Sequence, residues 1–221
     1  MPGSPDTSYN ASAITKEGAG TMEFTTHSWV WGGLNLNNGS IITAGGNGGF
    51  GFFSGAVNIN SGTTLTINSD GTGFGYNNGW KPSSVNIVGG TVNGGGNHVW
   101  GISGGVNMTG GTLSSASYQW NFTDLNTVAS STTSTVTGAL NIRGDGGYST
   151  MVINVADGAA ETDLLMSGNI TGGPGITKRG AGQLVLSGTN SYSGNTTVEA
   201  GTLVVNGSIA NATTTTVQSG A

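Results

Sequence analysis

Residues 175–205 read Gly175-Ile176-Thr177-Lys178-Arg179-Gly180-Ala181-Gly182-Gln183-Leu184-Val185-Leu186-Ser187-Gly188-Thr189-Asn190-Ser191-Tyr192-Ser193-Gly194-Asn195-Thr196-Thr197-Val198-Glu199-Ala200-Gly201-Thr202-Leu203-Val204-Val205. Three short β patterns lie in this stretch, each closed by glycine: a turn tipped by Lys178 and Arg179, a run Gln183 to Leu186, and a run Thr197 to Val205 broken at Ala200-Gly201. Apolar residues alternate with Thr, Ser or Gln at period two, which places Leu184 and Leu186 on one strand face. No run is long enough to bury its own apolar face. Each needs the next as its cover, and a solenoid meets that need by laying every coil on the one before.

The same logic recurs upstream. Leu34-Asn35-Leu36, Val57-Asn58-Ile59, Val85-Asn86-Ile87 and Val106-Asn107-Met108 each flank an Asn with apolar residues, and a Gly follows four places later at Gly39, Gly62, Gly90 and Gly111. The Asn residues are 23, 28 and 21 positions apart, which fits one coil of roughly 20 residues per copy with insertions at the corners. Val57, Val85 and Val106 are expected to stack inward, about 4.8 Å apart. Asn58, Asn86 and Asn107 are expected to form a structural ladder of amides on the opposite side. Ala139-Leu140-Asn141-Ile142 reads as a degenerate fifth copy. Glycine pairs such as Gly89-Gly90 and Gly110-Gly111 mark corners. Residues 1–13 lack periodicity and read as a vector scar and linker; residues 14–221 read as one elongated all-β domain, a parallel β-helix.

The motif of residues 175–205 resembles the autotransporter-associated β-strand repeat of passenger domains in bacterial type V secreted proteins. A partial second copy stands at Ile14-Thr15-Lys16-Glu17-Gly18-Ala19-Gly20-Thr21-Met22-Glu23-Phe24. The resemblance implies a right-handed parallel β-helix, secreted or on the outer-membrane surface of a bacterium, joined to the membrane only through a translocator domain. It names no substrate.

Composition narrows the function. Only 7% of the 221 residues are charged, with a net charge of −5 and five Lys plus Arg, so a phosphate-neutralising basic stripe is missing and nucleic acid is not an expected partner. Cysteine is absent, which excludes disulfides and thiolate metal sites. There is no apolar run of about 18 residues to form a membrane helix. The 43 glycines, with Ser, Thr and Asn, suit many short strands joined by tight turns.

Candidate contact residues are aromatic. Phe50, Phe52, Phe53, Phe74, Tyr76, Trp80, Trp100 and Trp120 precede or lie near the Asn copies. Facing outward they would form a stacking platform for sugar rings; facing inward they would fill a wide corner of the helix. The insertions between Gly39 and Val57 and between Gly62 and Val85 are the expected contact surface. Asp157, Glu161 and Asp163 form a weak Ca²⁺ candidate, since the ion takes oxygen ligands from flexible loops, although the spacing is not that of an EF-hand. No other metal and no cofactor is expected.

Catalysis on polysaccharides is the alternative, but it requires facing carboxylates. None stands between Asp70 and Asp124, and Arg143 with Asp145 and Asp157 is the only grouping to consider. His27 and His98 are isolated, and Arg143-Gly144-Asp145 is a tripeptide that a glycine-rich chain reaches by chance. The threonine runs Ser130–Thr135 and Thr213–Thr216 do not recur after each Asn copy, so the ordered threonine face needed for ice binding is not expected. The reading is a non-catalytic stalk or adhesin module. Its corner loops would meet glycans, surfaces or other copies, and its open ends would allow head-to-tail fibres.

Overall fold

The computed structural model describes residues 12–26, 30, 32–44, 53–68, 74, 81–94, 99–100, 102, 104–115, 119–143, 150–210 and 214–219, with the backbone alone at 99 and 100. Among them every regular element is a β-strand of two to four residues, and no helix is long and apolar enough to cross a membrane.

The strands form three parallel sheets. Sheet 1 has ten strands, from Ile14–Lys16 through Leu34–Leu36, Val57–Ile59, Val85–Val88, Val106–Thr109, Asp124–Thr127, Met151–Asn154, Ile176–Arg179 and Thr196–Val198 to Thr215–Val217. Sheet 2 has nine, from Thr21–Phe24 to Thr202–Val205, and alternates with sheet 1 along the chain. Sheet 3 is shorter: Val99–Trp100, Trp120–Asn121, Leu140–Ile142 and Ile170–Gly172. Each strand pairs with its counterpart one coil away, which makes the fold a parallel β-solenoid.

Period-two alternation decides what the coils bury. Leu34, Val57, Val85, Val106 and Leu125 lie one over another in sheet 1, all wholly buried. Ile41, Leu65, Val92, Leu113 and Val136 do the same in sheet 2. Each such side chain contributes roughly 1.5–3 kcal/mol relative to exposure. The turns between sheets 1 and 2 are held by glycine where space and backbone demand it. At Gly111 φ is +77°, and a Cβ would lie 2.6 Å from the Gly90 carbonyl oxygen.

Two sequence expectations are corrected here. The fifth position of the Asn column is held by Asn126, which pairs with Asn107, and not by Asn141. Leu140–Ile142 belongs to sheet 3, where its Leu-Asn-Ile string meets the same demand for alternation on a different face. A hydroxyl-bearing file does recur coil after coil: Thr21, Ser40, Thr64, Thr91, Thr112 and Thr135 are register partners on the outer face of sheet 2. It takes one residue per coil, the first of the strand in every case but Thr135, and only Thr135 belongs to a threonine run.

Candidate functional site

The outer face of sheet 1 carries the amide ladder. Asn58 Nδ2 donates to Asn35 Oδ1 at 2.8 Å, Asn86 to Asn58 at 2.7 Å, Asn107 to Asn86 at 2.9 Å and Asn126 to Asn107 at 3.3 Å. Every donor points toward the coil before it. Beside it, Asn60 donates to Asn37, and Asn37 to Glu17, at 2.6 and 2.8 Å. Stacked identical amides satisfy one another because the strand spacing matches the reach of a short side chain.

The aromatic candidates divide. Phe53, Phe74 and Trp120 are 1%, 0% and 1% exposed and belong to the core, so these three are not surface contacts. Trp120 lies in sheet 3, and its ring centroid is 6.1 Å from that of Phe74. Burying such large rings fills the wide side of the solenoid that short aliphatic side chains leave open. Phe50, Phe52, Tyr76 and Trp80 lie outside the described residues, as does the side chain of Trp100. His27, Asp70, His98, Gly144 and Asp145 are likewise outside them.

The acidic candidates separate as well. Asp157 and Glu161 are exposed, whereas Asp163 is buried. Its Oδ1 accepts the Gly158 amide and its Oδ2 the Gln183 amide, each at 2.8 Å, so it closes its own corner and ties it to the next coil. Among the described residues no three His, Asp or Glu side chains gather as ion ligands. This corrects the Ca²⁺ candidate: a carboxylate whose two oxygens already hold backbone amides serves the fold.

One residue of consequence was misread as a turn tip. Lys178 stands in the strand Ile176–Arg179, wholly buried, between Ile153 and Val198 in the inward file. Its ammonium donates to the carbonyls of Arg179 at 2.9 Å, Gly180 at 2.7 Å and Ala200 at 3.0 Å. Burial pushes its pKa down to about 8, with the Asp163 carboxylate acting against that shift. Lys16 repeats the arrangement at the partial copy, donating to the carbonyls of Gly18 and Asn38. The signal was present in the sequence, since alternation from Ile176 through Thr177 puts position 178 inward. The neighbouring Arg179 points out and pairs with Glu199 at 2.6 Å.

Tyr192 completes this coil. Its buried phenol hydrogen-bonds Thr196 at 2.6 Å, and burial raises its pKa while that bond works against the rise.

Comparison with known proteins agrees with this geometry. Residues 176–205 match the passenger-associated-transport-repeat family. A segment of 39 residues, 18% of this chain, is 59% identical to a protein of Brucella suis biovar 1 (strain 1330) described as Adhesin BmaC autotransporter. That segment is 1% of the length of the Brucella protein. No solved structure gives a significant match. Residues 176–205 therefore match an autotransporter passenger repeat in sequence, and they lie in register within the parallel solenoid.

Proposed function

We propose that this chain is a non-catalytic length of a secreted or surface-exposed passenger that holds adhesive corner loops away from the cell. The observation that carries the reading is the passenger repeat at residues 176–205, built in register into a solenoid whose sheet 1 runs from Ile14 to Val217. The likeness to an autotransporter described as an adhesin supports the adhesive part. The non-catalytic part is supported by the acidic corner, where Asp163 is occupied by backbone amides and Asp157 and Glu161 stand exposed.

The contact is assigned to the stretches between Gly39 and Val57 and between Gly62 and Val85, which carry Phe50, Phe52, Tyr76 and Trp80, and to Trp100, with glycans as the ligand class. A glycan array probed with the 221-residue chain and with Trp80→Ala and Trp100→Ala variants tests it. Retention of defined glycans, lost in at least one variant that keeps its β-sheet circular dichroism, is the expected result. No retention by the parent chain, or retention unchanged in both variants, counts against the assignment.

A further inference from the structure

We propose that the outer face of sheet 2 adsorbs to ice. The inference goes beyond the passenger reading and rests only on the register of the sheet. Thr21, Ser40, Thr64, Thr91, Thr112 and Thr135 present one side chain per coil on that face, all at least partly accessible to solvent. Two residues further along the strands a second file runs Ile42, Thr66, Asn93 and Ser114, so hydroxyls there alternate with an aliphatic and an amide side chain. From Ser40 to Thr135 neither file carries an ionisable side chain or an aromatic ring.

The spacing is that of a water lattice. A hydroxyl both donates and accepts, so it can stand at the position of a water molecule. Tetrahedral waters about 2.75 Å apart place second neighbours about 4.5 Å apart. Parallel strands hold equivalent side chains about 4.8 Å apart. The mismatch of about 0.3 Å per coil grows to about 1.5 Å over the five intervals of the file, still short of one water–water distance.

Threonine is also stiff at χ1, so the array is held in place before contact and little freedom is lost on adsorption. Neither of the two described files carries a ring on which a sugar could stack, which favours water over a polysaccharide. It is bounded as well, because beyond Thr135 the same file turns aliphatic at Leu165, Val185 and Val204.

The test is partition of the 221-residue chain into slowly growing ice, with recrystallisation of fine-grained ice as a second readout. The chain is expected to concentrate in the ice and to hold grains small. Thr91→Lys with Thr112→Lys places two strongly hydrated ammonium groups on the face and is expected to lower partition about tenfold, equivalent to about 1.4 kcal/mol. Thr109→Lys, on the outer face of sheet 1, is expected to leave it unchanged. Thr112→Ala adds no charge and serves if the double variant fails to fold; a several-fold loss is expected. Exclusion of the parent chain from ice overturns the proposal. So does equal partition of folded Thr112→Ala and parent, or adsorption to microcrystalline cellulose without adsorption to ice.

Discussion

Lys178 and Ala200 lie 22 residues apart in successive coils, joined by a 3.0 Å hydrogen bond from a wholly buried ammonium to a corner carbonyl. The same side chain satisfies two carbonyls of its own turn. The lysine therefore staples one corner to the next from inside. Methionine has similar length and no donors, so Lys178→Met strands acceptors in a partly buried corner. The expected loss is about 1–3 kcal/mol in urea unfolding. Lys16→Met, at the half-buried counterpart, is expected to cost less.

The Lys178 titration gives a pH signature. Its pKa is about 8 in the fold against an ordinary 10.5. Between those values the unfolded chain binds the proton that the folded chain has released, so stability rises with pH. The gain is complete above the unfolded pKa and is lost as pH falls through about 8. It amounts to about 3 kcal/mol at most. Urea midpoints from pH 7 to pH 9.5, below the range in which Tyr192 titrates, should climb in the parent chain and stay flatter in Lys178→Met.

Asn86 donates to Asn58 Oδ1 at 2.7 Å and to Ser84 Oγ at 3.4 Å, and accepts from Asn107 at 2.9 Å. Asn86→Ala removes all three in a partly solvated setting where water can substitute. A loss of about 1–2 kcal/mol is expected in thermal or urea unfolding.

Trp120 has its ring in the core, and its indole nitrogen has no hydrogen-bond partner among the described residues. Trp120→Ala is expected to cost about 3–5 kcal/mol of stability through the cavity it leaves. Glycan retention by the folded fraction should not change. Lost retention at full stability would return Trp120 to the contact surface.

How far the sequence could be read depended on which physical signal dominated each position. Val57, Val85 and Val106 were legible because alternation and the spacing of the Asn copies demand the same inward stack. Asn126 was not, because its neighbours Leu125 and Thr127 lack the second apolar flank, while Leu140-Asn141-Ile142 imitates the pattern on sheet 3. The hydroxyl file does not show as a run of threonines, because a parallel sheet builds a file from one residue per coil and five of its six members lie outside the runs. Lys178 was assigned by its charge to a turn, although its strand phase points inward and carbonyls there compensate the burial. The direction faced by Phe53, Phe74 and Trp120 depends on the width of the third side, which no local pattern records.

The inter-coil hydrogen bonds have a mechanical consequence. They run between coils, along the column, so tension applied to its two ends loads them in series. Ile176 and Thr196 are register partners 20 residues apart, so freeing one such coil releases roughly 70 Å of chain. A tethered column of this kind yields in steps, spending work over distance and letting a bond at its tip outlast a sudden pull.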